Sequence, residues 1–412
     1  MVRGTSQPYW SESEEAALVY LLYLILTHPN VEVVGQNILY DSQYTWRHWC
    51  FVPRVKQDTM ISQHSMFGDL PKALGFLASM YCAYYVYWKD EGKNIDEGDD
   101  DRLWFYNCED LVYTDEVGQS QLAAIKQLGL EKVHESQQAM FWPVLRAMQL
   151  GVKIDLARRA ELIEEVKYEI QRRHDFITAI LGHPLNPNSP KQMHTLFYQD
   201  LRQPIIYTRA TKDEPAHPTL NDDALQRIAK REPLLKPLIN AISDIRTLNI
   251  FLNTFLEAEL DVDQRMRCSF NIGGSESGKS APKTYRLSSS TNAFGGGANL
   301  QTIPSEKSKS LGKAAARGPT AGLGDPYQFP NLRSIFVPDE GYTFFDGDLD
   351  RADLQVVVWE CNDAMLKAAL RMGADIHLMN TYALEGKDPP PLEELVETHP
   401  KYRDHRGPRK HA

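Results

Sequence analysis

The run GYTFFDGDLDRADLQVVVWECND, residues 341–363, constrains this chain more than any other stretch. GYTFFDGD reads as a short, mostly apolar strand ending in carboxylates at Asp346 and Asp348. LDRADLQVVVWE then reads as a turn entering an apolar segment of helical length, with Asp353 on its early turns. A carboxylate fixed at a strand end, with helix N-terminal amides nearby, is a good place to hold a divalent metal, because such hard ions take oxygen ligands. The same pattern also describes a plain strand–turn–helix with acidic capping residues. By itself the segment leaves both readings open.

Four other stretches stand in a fixed order around it. TYRLSSS (Thr284–Ser290) and ANLQTIP (Ala298–Pro304) precede it, and PNLRSIFVPDEGY runs into it. GADIHLMNTYALEG (Gly373–Gly386) follows. This order resembles the polymerase half of the bacterial and phage family A, DNA polymerase I-like enzymes. Their pattern runs T-G-R-L-S-S, N-L-Q-N-I-P, R-x-x-F, the metal-binding D-Y-S-Q-x-E-L-R, then D-I-H. Collinear motifs of this kind are far more specific than any one of them.

The resemblance implies nucleotidyl transfer to a primer 3′ end, directed by a template, with two Mg2+ ions (or Mn2+) bridging attacking and leaving oxygens. It implies primer-template DNA and deoxynucleoside triphosphates as partners. Asp348 stands as the first metal carboxylate, and the Leu349 carbonyl as a backbone ligand. Asp350, Arg351 and Ala352 depart from the family's S-Q-x. Asp353 replaces the glutamate that lies under the sugar, and Gln355 replaces an arginine. Arg286 resembles the arginine that reaches acceptors common to all base pairs on the minor-groove side. Asn299 and Gln301 resemble template- or primer-contacting amides, and His377 the histidine that meets the incoming triphosphate. Ser288, in the first motif, and Arg333 belong with the same nucleic-acid-facing set. Two departures flank these motifs: Tyr285 replaces a glycine, and AFGGG is inserted before ANLQTIP.

The amino-terminal part resembles the proofreading 3′–5′ exonuclease layer of the same family. VEVVGQNILYDSQYT reads as a buried strand and a polar turn, carrying the N-x-x-x-D pair Asn37 and Asp41. LWFYNCEDLVYTDEV carries the Y-x-x-x-D pair Tyr106 and Asp110. Four residues apart on a helix, that pair shares one face. The resemblance implies that Asp41 and Asp110 each hold metal and that Tyr106 orients the attacking water. Y-x-x-x-D is common on surface helices, and only the company of the other motifs favours chemistry here.

The 412 residues allow two to four units. The fold expected is a multidomain α+β or α/β chain. It comprises a partial ribonuclease H-like exonuclease domain at 1–122, a helical connector and thumb at 123–260, the first part of a palm at 261–372, and a truncated start of the fingers at 373–412. A formal charge of −10 argues against a generally sticky nucleic-acid binder and leaves room for a local basic channel. Five well-separated cysteines without C-x-x-C suit a reducing cytoplasm, host cytoplasm for a phage protein. LVYLLYLIL (Leu18–Leu26) is too short to span a membrane. It reads as the buried face of a helix capped by Ser11 or Ser13. The acidic run Asp90–Asp101 reads as a solvated loop. SPKQMHTLFYQDL (Ser189–Leu201) reads as a thumb-tip helix with Ser189 as cap and Pro190 at its first position. Residues 305–329, with Lys307, Lys309, Lys313 and Arg317, read as a mobile insertion, either solvated or against DNA phosphate.

No D-x-E strand precedes Asn37, and the chain reaches only Arg409 and Lys410, where the family's fingers helix carries its first arginine and catalytic lysine. Both active sites therefore read as incomplete, and the chain alone is expected to be inactive. A complementing chain would carry the fingers and remaining palm. Two alternatives stand beside this: a non-catalytic duplex-binding fragment, and an exonuclease only.

Overall fold

A computed structural model of the chain describes residues 10–93, 99–210, 215–273, 287–304, 328–347 and 352–405. Two units form, Met1–Glu340 and Gly341–Ala412.

The first unit opens with α1 (Glu12–Leu26), started by a capping box in which Ser11 and Glu14 bond each other's backbone amides. The cap was legible; the burial was not. No residue of α1 is buried, and Leu18 and Tyr20 through Ile25 are exposed. Strand β1 (Val33–Gly35), helix α2 (Ile38–Trp49) and strand β2 (Val55–Asp58) make a parallel β-α-β unit, with Val33 opposite Val55 and Gly35 opposite Asp58. Helices α3 (Thr59–Met66), α4 (Leu74–Tyr81) and α5 (Asp100–Leu128) follow, sharing a core of Leu74, Leu77, Trp88 and Val117. The end of the acidic run is no loop. Asp99 caps α5 by accepting from the Arg102 amide at 3.1 Å, and Asp100 and Asp101 lie in its first turn. Acidic side chains there complement the helix dipole. The helix continues through residue 122 without a break.

Helices α6 (Glu131–Ala139) and α7 (Phe141–Leu150) lead to β3 (Val152–Ile154), with Gly151 ending α7. The next helical segment comprises α8 (Leu156–Leu181), α9 (Pro190–His194) with a π turn over Thr195–Asp200, α10 (Asp222–Arg231), and α11 (Lys236–Ile250) with a π turn over Phe251–Leu256. Ser189 caps α9 and Pro190 takes its first position. Ile177, Phe197, Leu225, Ile239 and Ile245 form the core between these helices. Strands β4 (Arg265–Met266) and β5 (Cys268–Asn271) follow, then β6 (Ser288–Thr291) and β7 (Phe336–Val337). β3 lies between β4 and β7, antiparallel to both. A core of Ile154, Leu162, Val166, Phe251, Met266 and Ile335 joins this sheet to α8 and the end of the α11 segment.

In the second unit, GYTFFDG forms no strand: residues 342–347 are irregular, with Phe345 exposed. A strand needs a hydrogen-bonding partner, and none pairs with this segment among the described residues. Helices then span Ala352–Glu360, Ala364–Met372, Ile376–Leu384 and Tyr402–His405. Val358, Ala369, Ile376, Leu378, Leu395 and Tyr402 form their core.

Candidate nucleic-acid interface

The described end of the first motif, Leu287–Ser290, and the ANLQTIP motif form one hydrogen-bonded block. β6 pairs antiparallel with β5, with Ser289 opposite Phe270 and Ser288 opposite Asn271. Asn299 braces this hairpin. Its Nδ2 donates to the Ser289 carbonyl at 2.7 Å, and its Oδ1 accepts from the Ser289 hydroxyl and from the Gln301 amide. Gln301 is exposed, and its Nε2 donates to the Leu287 carbonyl at 2.9 Å. Arg333 is exposed, with Nη2 3.5 Å from the Ile303 carbonyl. Ser288, Asn299, Gln301 and Arg333 thus sit in one stretch of the first unit. Arg286 lies outside the described residues.

The AFGGG insertion has a packing role. Phe294 meets Tyr44 and His48 of α2 and lies under the Arg47 guanidinium, 5.1 Å from the ring centre. Gly297 then passes against the backbone of Arg267. Its φ is +63°, and a Cβ there would fall 1.9 Å from the Arg267 carbonyl oxygen. Between α2 and the β5–β6 hairpin lies a cleft of about 400 Å³, lined by Asn37, Tyr40, Gln43, Ser269, Asn271, Ser289 and Ser290 among others.

Asn37 occupies the left-handed region that asparagine tolerates, and its amide donates to Asp58 Oδ1 at 3.0 Å. Asp41 sits on the exposed side of α2's first turn, where the surrounding protein's desolvation pushes its carboxyl above the ordinary range. Tyr106 and Asp110 do share a face of α5, where both meet Lys89. Among the described residues no three His, Cys, Asp or Glu side chains converge as metal ligands.

Sequence reasoning missed two side chains here, Lys89 and Asp58. Asp58 is fully buried at the end of β2, caps α3 through the Met60 amide, and leaves Oδ2 without a hydrogen-bond partner. Burial pushes its carboxyl up to about 6.

In the second unit, Asp353 lies in the first turn of helix Ala352–Glu360. His377 is exposed in the first turn of helix Ile376–Leu384, which Asp375 caps through the Leu378 amide at 3.1 Å. Asp348, Leu349, Arg409 and Lys410 lie outside the described residues.

Residues 157–395 match the family model of DNA polymerase family A. The chain belongs to that family. It is 26% identical over 270 residues to DNA polymerase DpoZ of Vibrio phage phiVC8, covering 64% of this chain and 38% of that protein. It is 23% identical over 353 residues to the thermostable DNA polymerase I of Thermus thermophilus, covering 80% of this chain and 38% of that enzyme. The chain thus spans well under half the length of these relatives. Its fold is similar to the POL domain of Pol1 from M. smegmatis, solved in complex with DNA primer-template and dNTP. The TM-score is 0.61 and the identity 20%, over 96% of this chain and 60% of that one. All five cysteines are free thiols. Among the described residues no helix is long and apolar enough to cross a membrane.

Proposed function

We propose that this chain forms part of a template-directed DNA polymerase that adds deoxynucleotides to a primer 3′ end. The supporting observation is the family match over 157–395, which contains TYRLSSS, ANLQTIP, the acidic run and D-I-H in the family's order. On this reading residues 1–122 are an exonuclease-like layer, 123–260 connector and thumb, 261–372 the first part of the palm, and 373–412 the start of the fingers. Primer-template DNA and deoxynucleoside triphosphates are the partners, as in the M. smegmatis complex.

Within that reading Asp348, with the Leu349 carbonyl, would hold a catalytic Mg2+. The ion's part in such chemistry is to neutralise charge on the transferring phosphoryl group. The residues with stated geometry do a different job. Asn299 and Gln301 hold the 299–301 turn against β6, so the backbone that tracks the duplex is fixed before DNA arrives. Arg286 and Arg333 would add positive charge along that track. His377 would meet the triphosphate, and Asp353 would sit under its sugar. Arg409 and Lys410 would begin the fingers helix and add cations to the triphosphate.

The test is primer extension by the chain, alone and mixed with any polymerase chain encoded beside it, with primer-template binding measured in parallel. Asp348→Ala should reduce extension to background while leaving binding within a few-fold. Extension by Asp348→Ala at the unsubstituted rate would remove the assignment.

A further inference from the structure

The cation that meets the Tyr106–Asp110 pair belongs to the chain itself. Lys89 Nζ lies 2.6 Å from Asp110 Oδ1 and 3.3 Å from the Tyr106 hydroxyl. It also lies over the Trp88 and Tyr106 rings, 5.1 and 5.3 Å from their centres. The Trp88 indole N–H donates to the same Oδ1 at 2.7 Å. Trp88 is buried and stacks on Tyr113 with ring centres 4.1 Å apart, so the backbone that delivers Lys89 is anchored. Asp110 is thus ion-paired, with side-chain exposures of 26% for Lys89 and 30% for Asp110.

A divalent ion at this spot would need several oxygen ligands. Among the described residues Asp110 is the carboxylate that Lys89 holds, no trio of acidic, histidine or cysteine side chains converges while it does, and the further oxygens an ion would draw on once the ammonium is removed are those of Glu91 and Glu109. The neighbouring charges are Glu91 and Glu109; burial pushes the Glu109 carboxyl up, with Glu91 and Asp110 adding to the shift. A tethered ammonium has the further advantage of a high effective concentration over any free ion.

We propose that Lys89 takes the place of a metal ion at Tyr106–Asp110 and closes this motif to divalent cations. The amino-terminal layer then acts as a structural element of the chain, with no hydrolytic centre at that pair. This inference stands on the Lys89 geometry and does not depend on the polymerase reading.

Mn2+ binding to the full chain, followed by the electron paramagnetic resonance signal of the free ion, tests it. The chain is compared with Asp110→Asn, Lys89→Met and the double variant. Asp110→Asn should bind as many ions as the unsubstituted chain, because Lys89 already excludes the ion. Lys89→Met should gain one site that the double variant lacks. Loss of a Mn2+ site in Asp110→Asn alone would overturn the proposal, and so would the absence of any gain in Lys89→Met. The Asp110→Asn arm needs no Lys89 variant to fold. A labelled single strand shortened from its 3′ end by the chain, and spared by Asp110→Asn, would also overturn it.

Discussion

The Arg173 guanidinium lies 3.1 Å from the Asp244 carboxylate, tying α8 to α11 through the interior of their helical segment. Glu169, one turn before Arg173 on α8, accepts from the same guanidinium, and all three residues are buried. Replacing Arg173 with methionine keeps most of the volume but removes the buried cation that Glu169 and Asp244 share, although Arg172 stays 3.4 Å from Glu169. Breaking such a pair from one side costs about 3–5 kcal/mol. Urea unfolding of Arg173→Met should show that loss. A variant as stable as the parent would mean that solvent reaches the triad.

Asp58 and His64 make opposing predictions with pH. The Asp58 carboxyl is raised from 3.8 to about 6 by burial. Folding therefore takes up a proton between these values, and this contribution to stability falls as pH rises through that window. The shift corresponds to something on the order of 3 kcal/mol. His64 is lowered from 6.5 to about 4, first by burial and then by the charge of Lys72. Its contribution is present above pH 6.5 and is lost as pH falls toward 4. The two slopes oppose each other in the natural chain. Asp58→Asn should therefore lose stability more steeply on acidification than the parent, and His64→Gln less steeply. Urea midpoints at about pH 7 and about pH 4.5 measure both. Asp41, raised, and His134, lowered, titrate alike in every variant and drop out of the comparison. Parallel pH profiles in all three proteins would refute the assignment.

Gly297 and Gly295 separate strain from collision. Both have positive φ, +63° and +82°. A Cβ at Gly295 meets nothing within 4 Å, whereas at Gly297 it would fall 1.9 Å from the Arg267 carbonyl oxygen. Gly295→Ala should cost only the left-handed penalty, roughly 1–2 kcal/mol. Gly297→Ala must also break the Gly297 amide's 2.8 Å bond to the Glu259 carbonyl or displace β4–β5, and should cost more than about 3 kcal/mol. Melting curves of the two variants that coincide would show that the AFGGG turn yields freely.

What could be read in the sequence was local. The cap at Ser11, one of the two serines expected for it, and the Ser189–Pro190 helix start each depend on residues a few positions apart. The placement of Tyr106 and Asp110 on one helical face follows from the helical period alone. What could not be read depends on distant partners. Lys89 meets Asp110 across 21 residues, and Asp58 bonds Asn37 across 21 and Gln138 across 80. An apolar run such as Leu18–Leu26 says that a surface wants cover, but not what provides it, and α1 is exposed. The apolar character of Tyr342, Phe344 and Phe345 suggested a strand, yet a ladder needs a second edge, and 342–347 stay irregular.

Tyr402 and Asp375 test the support of His377. The Tyr402 hydroxyl donates to Asp375 Oδ2 at 2.8 Å, and both residues are buried. Asp375 in turn caps the helix that carries His377. Tyr402→Phe removes one bond to a buried carboxylate and should cost about 1–2 kcal/mol. Hydrogen exchange should speed up in the first turn of Ile376–Leu384 while α8 and α11 keep their protection. Uniform change across the whole chain would show that the bond does not act on that helix.

Asn299 distinguishes a brace from a DNA contact. Its Nδ2 donates to the Ser289 carbonyl, and its Oδ1 already accepts from the Ser289 hydroxyl and the Gln301 amide. Asn299→Asp keeps the shape and the Oδ1 acceptor but turns the Nδ2 donor into an oxygen facing a carbonyl. If Asn299 is a brace, the variant loses about 1–2 kcal/mol of stability. Primer-template affinity should then fall with it, while the salt dependence of binding stays the same, since no phosphate contact has been removed. The same variant adds a negative charge, so Asn299→Ala serves as its neutral control and should show the same unchanged salt slope. If Asn299 instead touches DNA directly, affinity should drop while the urea midpoint stays put. Denaturation and a binding series across salt, run on the same two variants, decide between the two.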